Sequence, residues 1–283
     1  YDNDGFLDLF VANDEFNSLY HNSGDGTFTS ITDNIIVNDN DIESTGGSWA
    51  DYDNDGYLDL FVVNDHFQSN SLFHNNRDGT FSKITVGSMV NMNRSSMGSS
   101  WGDYDNDGDL DLIIANSNLI SNATYLSFDQ IYSNNLDNGN SWINISLNGG
   151  GVNSSAIGAK IRVKANIWGQ DTWQLRELSS QTGGGSQNSL NAEFGLGDAQ
   201  IIDSLIVQWT HGGIFDTTSI SINQFLTITD NTIPGCTEVN ACNYDPNAVA
   251  NNGSCRYLDD CAECANVSEY NTLYPLDEQN TTL

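Results

Sequence analysis

Short apolar stretches recur along the first part of the chain, and each of them ends at Asn or Asp. Leu58–Val63 is the clearest example, and it is rich in β-branched and aromatic residues. Such a run is typical of a buried β-strand. The pairs Asp25–Gly26 and Asp78–Gly79 indicate tight hairpin turns that lead into further strands. Helical periodicity is absent, so the sequence predicts an all-β fold for residues 1–140.

This strand pattern belongs to a unit that occurs three times. The motif YDNDGxLDL begins at Tyr1, Tyr52 and Tyr104, at intervals of about 50 residues. The first two copies are followed by HNxxDGTF, and the second and third are preceded by Trp49 and Trp101. A period of this length is that of one β-propeller blade or a comparable sheet unit. We therefore expect two full units and a third that degenerates after residue 135, with both tryptophans in the core.

The pattern changes after residue 140. Alternating positions in Ala159–Lys164 and a further apolar run at Ser204–Trp209 indicate half-buried antiparallel strands, with Gly-rich turns between them. All five cysteines follow Pro234, in a stretch with little apolar material. The predicted organisation is a repeat region (1–140), an antiparallel β domain (141–232) and a small disulfide-rich module or linker (233–283).

The charge balance excludes several classes of partner. Eight Lys and Arg residues stand against 38 Asp and Glu, which gives a formal net charge of -30. So acidic a chain repels nucleic acids and anionic lipid headgroups. No apolar run is long enough to be a transmembrane segment. The sequence begins inside a motif and without Met, so we interpret it as the middle or C-terminal portion of a longer precursor.

The acidity is concentrated in the repeated loops, and their spacing predicts metal ligands. With Asp51 as position 1, carboxylates occupy positions 1, 3, 5 and 9, Gly56 occupies position 6, and the carbonyl of Tyr57 occupies position 7. The first part of an EF-hand loop uses this arrangement, and hard oxygen ligands favour Ca²⁺. Position 12 is Val62 instead of Glu, so the loop is not an EF-hand. The alternative is a set of solvated Asp-Gly turns on an acidic surface.

Three copies in register favour the calcium interpretation, with about three Ca²⁺ sites in the chain. The first loop offers fewer ligands because its position 1 lies before Tyr1. The predicted ligands are Asp2, Asp4, Asp8 and the Phe6 carbonyl in the first loop; Asp51, Asp53, Asp55, Asp59 and the Tyr57 carbonyl in the second; and Asp103, Asp105, Asp107, Asp111 and the Asp109 carbonyl in the third.

The pattern DYDNDGxLDL with a following LYHNxxDGTF resembles the FG-GAP/VCBS class of propeller repeats, which also form the calcium-loop blades of integrin α heads. The resemblance covers about residues 1–135. It implies that the loop aspartates bind Ca²⁺ at a blade edge, in a partial β-propeller of about three calcium-loop blades. Such propellers contain more blades than this sequence holds, so further blades are expected upstream.

The antiparallel domain resembles the ASPIC/UnbV domain, which commonly follows such repeats in secreted proteins. Thr210–His211 departs from the Pro-Ser that this family more often carries. The biochemical role of the family is poorly defined, so the resemblance supports an architecture more than an activity. The matching residues are Ile157–Val163, Ser186–Gln187, Phe194–Gly197 and Val207–Trp209 ahead of Gly212–Gly213.

Cysteine usage in the tail favours disulfides. A small module that is poor in apolar residues normally needs disulfides or a metal. Cys261 and Cys264 have a zinc-like spacing, but they lack a second pair and a nearby His. An odd cysteine count leaves one thiol free or paired outside the chain, and the connectivity stays open. Gly235–Cys255 resembles a short cysteine repeat near the C-termini of large bacterial surface proteins.

Enzymatic signatures are missing from the sequence. No nucleophile elbow, HExxH helix or phosphate-binding loop with its Lys occurs. His21 and His74 occupy the same place in two repeats, which favours a structural role beside the hairpin over catalysis. We therefore expect a chain without catalysis.

The leading functional hypothesis is a calcium-binding repeat protein outside the cell or on a bacterial cell surface, acting in adhesion, matrix or filament structure. Its partner is an extracellular protein or glycan, or further copies of itself. One alternative is a glycan-binding module that stacks sugars on exposed aromatics such as Tyr20, Phe73 and Tyr125. Another is an accessory region of a secreted hydrolase.

Overall fold

A computed structural model describes residues 1–39, 43–117, 128–149, 153–231, 234–246, 248, 250–251 and 253–257. Within them the protein is all-β, as predicted, and none of the described sheets closes on itself. Two one-turn helices, α1 (Ile35–Asn38) and α2 (Ser88–Asn91), interrupt the strands of the repeat region. None of the described helices is long and apolar enough to cross a membrane.

Each repeat forms one small antiparallel sheet, and the second repeat forms a complete four-stranded meander of the kind found in propeller blades. The first sheet contains β1 (Leu9–Val11), β2 (Ser18–Asn22) and β3 (Phe28–Ile31). The second contains β4 (Ser44–Ala50), β5 (Asp59–Asn64), β6 (Ser71–Asn75) and β7 (Phe81–Ile84). The third contains β8 (Ser96–Gly102), β9 (Asp111–Asn116) and β10 (Gln130–Tyr132).

Strand β5 is buried along its whole length because it has a sheet on each side. Successive side chains of a strand point to opposite faces. One face carries Leu60 and Val62 into a core shared with the first sheet. The other carries Phe61 and Val63 into a core shared with the third sheet. This double burial explains why the strand reads as a nearly continuous apolar run.

The aromatic residues of the repeats are divided between these two cores. Trp101 is buried and meets Phe61 edge to face, with ring centroids 6.1 Å apart. Trp49 is partly buried and packs against the other core, so the prediction that both tryptophans serve the core is confirmed. The prediction that Phe73 is exposed is wrong, because its ring lies in the same core as Leu60 and Val62.

The region after residue 140 forms two packed sheets. One has the order β14-β11-β17 and the other the order β13-β12-β15-β16. All their neighbouring strands are antiparallel except β11 and β17, which pair in parallel. The strands are β11 (Ser141–Asn148), β12 (Lys160–Ile167), β13 (Gln170–Glu177), β14 (Ala192–Gly197), β15 (Ile202–Gln208), β16 (Ile214–Ile220) and β17 (Gln224–Thr229).

The start of the tail is held by a disulfide, as the cysteine usage predicted. Cys236 and Cys255 are bonded beside a short parallel pair, β18 (Pro234–Gly235) and β19 (Ala250–Asn251). Cys261 and Cys264, on which the zinc alternative rests, lie outside the described residues.

The core between the second and third sheets generates the first prediction. Phe61→Ala removes a fully buried ring and its contact with Trp101. We expect this change to lower the free energy of unfolding by about 3–5 kcal/mol. Urea unfolding followed by tryptophan fluorescence measures the effect. Phe128→Ala is the control, since its side chain is exposed and its loss changes stability by roughly 0.5 kcal/mol or less. Equal effects of the two changes would contradict the packing described here.

Candidate metal centre

The three acidic loops share one backbone conformation. The second loop joins β4 to β5, the third joins β8 to β9, and the first leads into β1. Position 4 of each loop is an Asn in the left-handed region, and position 6 is a Gly with positive φ. Asn tolerates that region better than most residues, and Gly adopts it without a steric penalty. The φ values are 61°, 56° and 62° for Asn3, Asn54 and Asn106, and 95°, 97° and 96° for Gly5, Gly56 and Gly108.

Loop amides hold the carboxylates at the start of each complete loop. The two oxygens of Asp51 accept hydrogen bonds from the backbone N–H groups of Asp55 and Gly56, both at 2.9 Å. Asp103 accepts the equivalent two bonds, at 3.2 and 3.0 Å, in the third loop. At position 5, Asp55 accepts the amide of Tyr57 at 2.9 Å. These short-range hydrogen bonds fix the orientation of each carboxylate relative to the backbone of the turn.

The carboxylate at position 9 is anchored from the neighbouring strand of its own sheet. In each repeat its Oδ1 accepts a backbone N–H at 2.8 Å from an Asn that ends the neighbouring strand or follows it. The side-chain amide of the same Asn donates to the carbonyl at position 8. Sequence analysis missed these residues, although the HN of HNxxDGTF marks two of them. The pairs are Asn22 with Asp8, Asn75 with Asp59, and Asn134 with Asp111.

Carboxylate oxygens converge in all three loops. One ligand atom from each of Asp51, Asp53 and Asp55 lies within 4.8 Å of the others, and the same holds for Asp103, Asp105 and Asp111. Further groups bring Asp53 and Asp59 together with His74, and Asp2 and Asp8 together with His21. Asp4 and Asp107 stand outside these groups. The carbonyls of Phe6, Tyr57 and Asp109 stay predicted ligands.

Two histidines face the loops. His74 Nδ1 lies 3.1 Å from Asp59 Oδ1 and 3.5 Å from Asp53 Oδ2. His21 Nδ1 lies 3.1 Å from Asp2 Oδ2 in the first repeat. The sequence predicted a structural role for both histidines beside the hairpin, because they occupy the same position in two repeats. That repeated position is also the sequence feature that associates them with the acidic loops. Each imidazole can neutralise loop carboxylates when it is protonated, or add a nitrogen ligand when it is neutral.

Neighbouring loops are connected through their asparagines. The side-chain amide of Asn3 donates to the carbonyl of Gly56 at 2.9 Å. The side-chain amide of Asn54 donates to the carbonyl of Gly108 at 3.1 Å and to Asp109 Oδ1 at 2.8 Å. The three candidate sites therefore form a row at one edge of the stacked sheets.

Comparison with known proteins agrees with this arrangement. A family model described as FG-GAP-like repeat matches residues 1–62 and again residues 51–114. A second model, described as ASPIC and UnbV, matches residues 149–234. The chain carries FG-GAP-like repeats and an ASPIC/UnbV domain. A search of curated proteins found no match to the chain. The two family matches point to an extracellular repeat protein.

The FG-GAP loops hold their carboxylates where negative charge is unfavourable. Burial, followed by repulsion from Asp55 and Asp59, raises the pKa of Asp51 well above its usual value. Burial raises the pKa of Asp59 to about 7 and that of Asp55 to about 6. In the third loop, burial also raises the pKa of Asp103. A divalent cation relieves such crowding, so the donor set and its electrostatics fit Ca²⁺.

These shifted groups predict how the stability of the metal-free protein depends on pH. A carboxyl whose pKa is raised by folding stabilises the folded chain at low pH, and this contribution is lost as the pH rises through the raised values of about 6 and 7. We expect thermal unfolding in calcium-free buffer to occur a few degrees higher at about pH 5.5 than at about pH 7.5.

A matched pair of variants isolates the contribution of the loop. Asp59→Asn is expected to flatten the pH dependence because it removes the group with the pKa of about 7. Asp78→Asn is expected to leave it in place, because Asp78 is exposed and its hydrogen bonds with Thr80 lower its pKa. A pH dependence that survives Asp59→Asn unchanged would contradict this assignment.

Proposed function

We propose that the FG-GAP-like region holds about three Ca²⁺ ions, one in each acidic loop, and that the ions stabilise an extracellular protein with an adhesive or structural role. The observation that carries the proposal is the convergence of buried carboxylates in the second loop, with related groups in the other two. The sequence lacks the motifs that are typical of enzymes, and the role that we propose is non-catalytic.

The proposed ligands follow the loop positions. In the second loop they are Asp51, Asp53, Asp55 and Asp59, with the Tyr57 carbonyl. The third loop offers Asp103, Asp105, Asp107 and Asp111, with the Asp109 carbonyl. The first offers Asp2, Asp4 and Asp8, with the Phe6 carbonyl. Calcium accepts six to eight such oxygens, so water completes each set. Bound Ca²⁺ would neutralise charge that otherwise opposes the close packing of β4, β5 and β6.

We propose a location outside the cell or on its surface, which suits this function in two ways. Calcium there reaches about millimolar concentration, which fills modest sites. A disulfide such as Cys236–Cys255 persists in an oxidising compartment. The net charge of -30 disfavours nucleic acid partners, so we propose an extracellular protein, or further copies of the chain, as the partner, with a glycan as the alternative.

Thermal unfolding of the metal-depleted protein tests the proposal. If about 1 mM Ca²⁺ exceeds the dissociation constant of each site 100-fold, each filled site adds about 2.7 kcal/mol, and we expect the melting temperature to rise by roughly 5 °C per site, or about 15 °C for three sites. Asp59→Ala and Asp111→Ala should each reduce this rise. Asp216→Ala, which removes an exposed carboxylate on β16, should leave it unchanged. A melting temperature that does not respond to Ca²⁺ would contradict the proposal and would favour the alternative, in which the loops are solvated acidic turns.

A glycan array separates adhesion through protein contacts from the glycan-binding alternative. Of the aromatics suggested for sugar stacking, Phe73 is buried and Tyr20 is partly buried, while Tyr125 lies outside the described residues. We therefore expect no saturable binding to a single sugar family. Clean binding to one family would favour the lectin function instead. An accessory role beside a secreted hydrolase stays an alternative for the longer protein.

A further inference from the structure

The second loop differs from its two copies in how deeply it is buried. Asp51 and Asp55 are 2% and 4% exposed, whereas position 9 is buried in both complete loops, since Asp59 and Asp111 are each 1% exposed. In the third loop Asp105 and Asp107 are exposed, although its sequence is nearly the same. The cause of the difference lies outside the repeats, because the ASPIC/UnbV domain covers the second loop.

Two strand ends of that domain bind the backbone of the loop. The amide of Gly197 donates to the carbonyl of Asn54 at 2.8 Å. The indole N–H of Trp168, in the turn after β12, donates to the carbonyl of Asp55 at 3.1 Å. These bonds use carbonyls at positions 4 and 5, which the proposed coordination leaves free. The domain therefore fixes the turn without competing for an ion.

The contact leaves no room for a side chain on β14. A Cβ atom added to Gly195 would lie 2.1 Å from Asp51 Oδ2 and 2.4 Å from the Asn54 Cα atom. Gly56 of the loop also lies against the domain, since a Cβ atom there would lie 3.0 Å from the Ile167 side chain. The close approach of β14 to the loop backbone therefore depends on Gly195.

Arg77 of the second repeat adds a charged contact between the domain and the loop. The Arg77 guanidinium lies 4.9 Å from the centre of the Trp168 ring, and its Nε lies 3.4 Å from Asp55 Oδ2. On the other side of the loop, the side-chain amide of Asn140 donates to the Asp53 carbonyl at 2.9 Å. The third loop has a simpler contact, in which the Trp142 ring lies against Gly108.

We propose that ion binding in the second loop and docking of the ASPIC/UnbV domain onto the repeats form one coupled equilibrium, with Trp168 and Gly195 as positioning residues. The inference rests on the proposed calcium function. Without an ion, docking confines several carboxylates in a buried interface, and this confinement opposes docking. With an ion, the same contacts hold the loop in its ligand-presenting conformation. By linkage, each event strengthens the other by the same factor.

Calcium titration of the full chain by calorimetry tests whether docking of the domain strengthens ion binding. Trp168→Phe keeps a ring under Arg77 and removes the indole donor to Asp55. We expect it to weaken one calcium site roughly 3–10-fold and to leave the others unchanged. Trp173→Phe is the control, because Trp173 lies on the adjoining strand β13 and is exposed. Gly195→Ala should weaken the same site more strongly.

Hydrogen exchange of the wild-type chain tests the reciprocal half, and it does not depend on whether a variant folds. Removal of Ca²⁺ should accelerate exchange at residues 194–197 and leave β16 unchanged, because β16 is an edge strand that pairs with β15. If no ion binds at any loop, both the proposed function and the coupling fall. If ions bind but Trp168→Phe behaves like Trp173→Phe and exchange at residues 194–197 ignores Ca²⁺, the coupling is wrong and the calcium function stands.

Discussion

The crowding of buried carboxylates in the second loop is the strongest constraint on this fold. Four aspartates lie between two stacked sheets and a second domain, where burial raises the pKa of Asp59 to about 7. The surrounding structure compensates with amides from Asn75, Gly56 and Tyr57, and with the imidazole of His74. These groups lessen the repulsion without removing it. A bound divalent cation is the simplest remaining counterion, and the proposed function follows from that need.

The sequence predicted local structure well where one physical pattern dominates. The apolar run of β5 and the Asp-Gly hairpins identified the strands, because a strand buried on both faces has a distinctive composition. The Gly at position 6 follows from the loop motif itself, whereas the left-handed Asn at position 4 was not predicted. Phe73 was assigned wrongly because β6 is short, and alternation along so few residues does not show which face meets a core. The parallel pairing of β11 with β17 was also out of reach, since the two strands lie far apart in sequence.

Contacts between distant segments account for what else the sequence left open. The motif is nearly identical in three places, and nothing within it distinguishes the loop that the second domain covers. The hydrogen bond from Asn3 to the Gly56 carbonyl, and its counterpart from Asn54 to Gly108, form between neighbouring repeats and depend on how the sheets stack. These contacts align the three loops in a row, and the ASPIC/UnbV domain packs against the second loop, which is the middle one. The architecture therefore gives identical motifs different environments.

The most direct test of the central claim is a crystal structure of the protein grown in millimolar Ca²⁺, with the ions located by their anomalous scattering. We predict an ion in the second loop, about 2.3–2.6 Å from oxygens of Asp51, Asp53, Asp55 and Asp59, and a second ion in the third loop. If both loops hold ordered water and neither holds an ion at this calcium concentration, the calcium function is wrong.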